Sequence, residues 1–196
     1  MYKKTKILLP IIILGMLFIV GCNKSNTQTA EPTDAPLKYY DKADAVLSLI
    51  AADTEESTIP LEITSTSNQD TAECETYNFD NGQLSDPKKA IKGTMNLDKT
   101  NGKLKALSVL GFVNSKKDVF KIVSNTFLNN DLGLEGFPED KNAEQQIKTA
   151  YKTKVTAFVA ELEAVPDGDT YSNKVDNCKI YYVHDGGIIS MTFSVV

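Results

Sequence analysis

Apolar and polar positions alternate with two different periods along this chain, and the switches between them outline its elements. From Leu37 to Ile50, the residues Leu37, Tyr40, Ala43, Val46, Leu47 and Ile50 return at three- and four-residue spacing. That spacing predicts an amphipathic helix. A period of two then takes over. Ile59, Leu61 and Ile63 alternate with Glu62 and Thr64 behind an edge-type Pro60. Ala72, Cys74 and Thr76 alternate with Glu73, Glu75 and Tyr77, and Ile91, Gly93, Met95 and Leu97 alternate with Lys92, Thr94, Asn96 and Asp98. Asp98-Lys99-Thr100-Asn101-Gly102 reads as a hairpin turn with Gly102 free to take positive φ, and Leu104 to Val113 as the returning strand, buried on both faces.

The helical period returns after Ser115-Lys116-Lys117-Asp118, which has the form of a capping box. One helix follows through Val119, Ile122, Val123 and Phe127. A longer one, capped by Asp140 or Asn142, carries a stripe from Ala143 through Ile147, Val155 and Phe158 to Leu162. Pro166-Asp167-Gly168 stops it. Two strands close the chain, with Cys178, Ile180 and Tyr182 on one face of the first and Ile189, Met191, Phe193 and Val195 on one face of the second. Asp185-Gly186-Gly187 turns between them. The expected fold class is α+β: an antiparallel sheet of about six strands with three helices packed mainly on one face and the other face wet.

The N-terminus follows neither period. Lys3, Lys4 and Lys6 precede an almost wholly apolar run from Ile7 to Val20. That run is too short for a bilayer, which needs about twenty residues. A basic start, a short apolar stretch and a small residue make a secretory signal peptide. Its end, Ile19-Val20-Gly21-Cys22, resembles the lipobox of bacterial lipoproteins, with Ile19 where leucine is commonest. The resemblance covers residues 1–22 only. It implies cleavage before Cys22 and a diacylglyceryl group on the Cys22 sulfur, with Gly21 admitting the peptidase and Ile19 and Val20 filling its pocket. Two acyl chains, at about 0.8 kcal/mol per buried methylene, anchor stably where one does not.

The expected organisation is therefore a signal peptide over 1–21, a lipidated and flexible linker over 22–36, and one globular domain over 37–196. The linker holds no large apolar residue after Cys22, so it cannot offset its own ordering entropy. Its reach is about 20 Å. The expected location is the extracytoplasmic face of a cell membrane.

Charge narrows the partners. The net charge of −5 includes the three leader lysines, so the processed chain carries −8. Such a chain repels nucleic acid phosphates, and no nucleic acid partner is expected. No arginine occurs, which removes the bidentate fork for phosphate and carboxylate recognition. The Lys and Asn bias is what an AT-rich genome produces and points to a low-GC Gram-positive bacterium.

Few residues suggest chemistry. Beyond Cys22 the cysteines are Cys74 and Cys178, both expected on the apolar side of strands. They are either a candidate disulfide, contributing up to about 4.7 kcal/mol for a loop near a hundred residues, or two buried thiols. His184 beside Asp185 is a thin basis for a hydrolase, and a polar residue approaching a turn is the favoured reading. Glu73 and Glu75 share a strand face expected to be wet. Neither Asp98 to Gly102 nor Asp131 to Gly136 has calcium-loop ligand spacing, and no metal or cofactor motif is legible.

The outward sheet face is the candidate binding surface. Tyr77, Thr94, Asn96, Lys179, Tyr181, Ser190 and Thr192, with Glu75 and Ser194, would form a field of hydroxyls, amides and aromatic rings suited to a surface protein or a glycan. The leading expectation is a non-catalytic, lipid-anchored domain that binds a protein or envelope component. The alternative is a small-ligand or lipid carrier with a pocket between the helix over 140–163 and the sheet.

Overall fold

The computed structural model describes residues 35–51, 59–69, 72–86, 88–129, 141–175 and 178–195. Cys22 and its neighbours Ile19, Val20 and Gly21, with most of the linker, lie outside the described residues. A helix, α1 (Tyr40–Ala51), precedes four strands: β1 (Glu62–Ser67), β2 (Cys74–Asp80), β3 (Ile91–Asp98) and β4 (Leu104–Phe112). A 3₁₀ turn (Val113–Ser115) leads into α2 (Lys116–Asn129) and α3 (Lys141–Glu163), and β5 (Asp169–Val175), β6 (Cys178–Asp185) and β7 (Ile188–Val195) end the chain. The strands form one sheet in the order β1-β2-β3-β4-β7-β6-β5, with every neighbouring pair antiparallel. The first four strands meander outward. The two helices then carry the chain to the far edge, and β5, β6 and β7 walk back until β7 meets β4.

This is an α+β fold with seven strands, one more than the periodicity indicates. The additional strand is β5, whose sequence Asp-Thr-Tyr-Ser-Asn-Lys-Val shows no alternation. It sits at the sheet edge beside β6, with Tyr171 and Asn173 on its covered side and Thr170, Ser172 and Lys174 on its open side, so polar residues on both sides hide the alternation. Two turns form as their glycines require. Gly102 (φ 68°) closes β3–β4, and Gly186 and Gly187 (φ 59° and 78°) form a two-residue turn between β6 and β7. Positive φ at both central positions matches the right-handed twist of the flanking strands.

All the helix contacts that define the core fall on one side of the sheet. Tyr40 of α1 meets Tyr77, Phe120 of α2 meets Tyr182, and Phe158 of α3 meets Tyr171, at ring separations of 6.2, 5.9 and 6.1 Å. The same side carries Phe79, Ile91, Met95, Leu107, Val109, Met191 and Phe193, all buried. Gly93 lies in this layer because the Phe79 ring crosses it: a β-carbon there would stand 2.3 Å from Phe79 Cζ and 2.4 Å from the Ser108 carbonyl oxygen.

Two local readings need correction. In β2 the covered face holds Glu75, Tyr77 and Phe79, while Cys74, Thr76 and Asn78 point to the opposite side, so the alternation is inverted from the expected one. The aromatic pair Tyr77 and Phe79 outweighs Cys74 and Thr76 in apolar area and decides which side turns inward. β4 is not buried evenly on both sides: Ser108, Leu110 and Phe112 are only half-buried, facing away from the helices. The Ser115 hydroxyl donates to the Lys88 carbonyl at 3.3 Å, tying the start of α2 to the β2–β3 connection.

Candidate functional site

Among the described residues, the covered face carries a polar centre built on Glu75. Its side chain is buried, and four donors converge on its carboxylate. The Lys38 amide donates to Oε1 at 2.7 Å and the Tyr39 amide to Oε2 at 2.9 Å. The Tyr77 hydroxyl donates to Oε2, and the Asn68 amide reaches Oε1 at 3.5 Å. A buried carboxylate is tolerated only when its oxygens are satisfied in this way. Burial, and then the hydrogen bond to the Glu75 carboxylate, push the Tyr77 phenol above its ordinary range, so the proton stays on the tyrosine oxygen.

The geometry explains why the chain enters the domain here. The Tyr39 carbonyl accepts from the Ala43 amide at 2.8 Å, which makes Tyr39 the residue that caps α1. Glu75 thus places a negative charge at the positive end of that helix. Upstream, the Ala35 amide donates to the Asn68 carbonyl and the Asn68 side-chain amide to the Pro36 carbonyl, both at 2.7 Å. Residues 35–39 are clamped along the end of β1 and β2. Tyr39 also lies against Gly102, where a β-carbon would stand 2.6 Å from its ring, and donates to the Thr100 carbonyl at 3.2 Å. The centre is a structural clamp. Glu73 is exposed and lies before β2, so the two carboxylates do not form a proton-sharing pair.

The opposite face is the candidate binding surface. Thr94, Asn96, Lys179, Tyr181, Ser190 and Thr192 lie on it, with Ser194; Tyr77 does not, and Glu75 does not. Cross-strand register joins one residue from each strand into a single row. Ser65 faces Asn78, Asn78 faces Thr94, and Thr94 faces Ser108. Ser108 faces Thr192, Thr192 faces Tyr181, and Tyr181 faces Ser172. Every member is a hydroxyl or amide residue, and none is charged. Parts of the row are internally bonded: Asn78 to Ser65 at 3.0 Å, Thr94 to Asn78 at 2.8 Å, and Ser108 with Thr192 at 3.0 Å. Tyr181, at 49% exposure, is the aromatic that stands clear of this face. Sequence reasoning missed Ser65, Asn78, Ser108 and Ser172, because only pairing register reveals the row.

The remaining candidates separate. Cys178 is a buried, free thiol, so the candidate bridge to Cys74 does not form. The two residues point to opposite faces, on strands four positions apart, about 19 Å at ~4.8 Å per strand. A disulfide needs α-carbons within about 7 Å. Burial pushes the Cys178 thiol up to about 12, which removes its nucleophilicity at neutral pH.

His184 lies at the end of the covered face. Its Nδ1 is 3.1 Å from the Val165 carbonyl oxygen and its Nε2 is 3.7 Å from Asp167 Oδ1, not near the adjacent Asp185 carboxylate by strand geometry. Its own carbonyl accepts from the Gly168 amide at 2.8 Å. The histidine fastens the turn after α3 to the sheet. Val155, Phe158 and Leu162 of α3 are buried where the alternative reading places a carrier pocket. Among the described residues, no three His, Cys, Asp or Glu side chains are grouped to hold a metal ion. Comparison with protein-family models, with curated proteins and with solved structures finds no match to this chain.

Proposed function

We propose that this chain is a lipid-anchored extracytoplasmic lipoprotein whose globular domain binds an envelope component, without catalysis, through the open face of its sheet. The observation that carries the anchor is Ile19-Val20-Gly21-Cys22 behind a lysine-led apolar run. The clamp at Glu75 supports the arrangement that follows from it. Residues 35–39 are held against Asn68 and Glu75, so the chain enters the domain at one end of the sheet, beside the β3–β4 turn, and that end lies nearest the anchor. The open face then looks sideways, accessible to a partner. The uncharged row across the strands supports binding over catalysis, because it offers directed hydrogen bonds and no activated nucleophile.

The test is metabolic labelling with a palmitate analogue in a Gram-positive host, comparing the native chain with Cys22→Ser. Label and membrane partitioning are both expected to disappear in the variant. Unchanged partitioning of Cys22→Ser removes the anchor from the proposal. Thiol counting gives an independent reading. The chain has three cysteines, so a thioether on Cys22 leaves Cys74 and Cys178 as thiols, and a disulfide at Cys74 marks a chain that has not been lipidated.

A further inference from the structure

The open face has a feature beyond its row of hydroxyls. In the neighbouring row, Lys174 of β5 stands directly opposite Lys179 of β6, and both are exposed. Like charges placed opposite each other on one sheet face are destabilising, so the pair is retained at a cost. Tyr181 lies on β6 two residues beyond Lys179, and its ring is half exposed. A cationic pair and an aromatic ring therefore meet at one end of the uncharged row.

We propose that this face binds a single chain of an acidic polysaccharide, with sugar hydroxyls on the row from Thr94 to Tyr181 and an acid group at the Lys174–Lys179 pair. The inference rests on the open-face reading above and names its partner. Three features select this chemistry. Hydroxyl and amide side chains exchange hydrogen bonds with sugar hydroxyls without burying a charge, whereas a protein partner of similar extent would be expected to want an apolar centre. Tyr181 offers a ring face with little rotamer entropy to lose. Lys174 and Lys179 stand side by side with no carboxylate opposite either, unlike Lys92 of the same face, which faces Asp80, and an anion at the pair relieves its own repulsion.

Geometry sharpens the choice. From β1 to β5 the row crosses six interstrand steps, about 29 Å, room for several sugar units. Each step in such a sheet rotates by about 20°. The row therefore winds, and a flexible single chain can follow it while a flat crystalline polymer surface cannot.

Native gels cast with a soluble polymer provide the test, using the full chain purified in detergent. Carboxymethyl cellulose serves as the acidic probe, hydroxyethyl cellulose as the uncharged one, and crystalline cellulose sedimentation as the flat surface. The native chain is expected to be retarded by the acidic polymer more than by the uncharged one, in a salt-sensitive way, and not to sediment with the crystalline form. Tyr181→Ala is expected to weaken retardation about tenfold. Lys174→Gln with Lys179→Gln is expected to erase the difference between the two soluble polymers. Absence of retardation on both soluble polymers, retardation unchanged by these variants, or binding to crystalline cellulose alone overturns the inference. If Tyr181→Ala abolishes crosslinking to an envelope protein while no polymer is retarded, the open-face reading stands and the polysaccharide falls.

Discussion

The two faces of the sheet are woven from the same strands, yet they treat polar groups in opposite ways. Among the described residues buried on the covered face nearly all are apolar, and the carboxylate buried there, Glu75, is met by four donors from three separate parts of the chain. On the open face hydroxyls and amides stretch from edge to edge and bond to one another only in part. The covered face uses hydrogen bonds to fix where the chain enters the domain. The open face keeps hydrogen-bonding capacity in reserve, at little cost to folding, because water satisfies whatever a partner does not. A polar residue in this fold is therefore structural or available according to its side of the sheet.

The largest expected effect comes from breaking the covered side of that contrast. Glu75→Ala strands the Tyr77 hydroxyl and two backbone amides, each worth about 1–3 kcal/mol if left unsatisfied, while the Asn68 amide keeps the Pro36 carbonyl. Water recovers some of these at the partly buried chain entry, so a net loss of about 3 kcal/mol is expected in urea unfolding. Because residues 35–39 lose their anchor, a protease should also cut there in the folded variant. Glu75→Gln keeps acceptor capacity on one oxygen only and should fall between the two. Loss below 1 kcal/mol for Glu75→Ala would mean that the clamp does not hold the chain entry.

Much of this contrast was legible in the chain, and its failures have physical causes. In β3, polar Lys92, Thr94 and Asn96 alternate with Ile91, Met95 and Leu97, so the face assignment could be read directly. In β2 the same method fails. Cys74 and Thr76 resemble core residues more than Glu75 does, and Tyr77 suits either side of a sheet. Only continuing the alternation to Phe79 reveals the parity. The Glu75 clamp was hidden for a related reason: its donors come from residues 38, 39, 68 and 77, and tertiary structure alone gathers them. β5 is not legible because polar residues occupy both of its sides. The cysteines looked like a pair because both sit in strands, but strand order, which no periodicity encodes, separates them.

A smaller effect tests whether the covered face tolerates a polar atom that nothing satisfies. The Tyr182 hydroxyl is buried without a hydrogen-bond partner, and burial pushes its phenol up to about 12 from an ordinary 10. Removing an unpaired buried hydroxyl is neutral or stabilising, so Tyr182→Phe is expected to gain up to about 1 kcal/mol. The same burial sets an alkaline limit. A phenol whose folded pKa is raised contributes stability that is fully present below the unfolded value. That stability is lost as pH rises from 10 toward 12 through the folded one. Stability should therefore decline from about pH 10 upward, and Tyr182→Phe should flatten part of the decline. Phenolate absorbance followed against pH in the two proteins measures both. A decline equally steep in Tyr182→Phe would assign the alkaline limit to other groups.

The smallest expected effect on stability belongs to the open face, and its smallness is what makes it informative. Thr94→Val removes the donor to Asn78 Oδ1, and Thr192→Val removes the partner of the Ser108 hydroxyl. Each replacement keeps the β-branched shape that suits a strand. Neither site is buried, so water takes over the freed groups, and each variant is expected to stay within about 0.5 kcal/mol of the native chain. If the open face were as finished as the covered one, losing these hydroxyls would cost as much as a buried hydrogen bond does. Unchanged unfolding midpoints, together with about fivefold weaker retention on the acidic polymer for Thr192→Val, would assign that hydroxyl to a partner and not to the fold. A stability loss above 1 kcal/mol would instead make the row a structural ladder, and the division of labour between the two faces would fail.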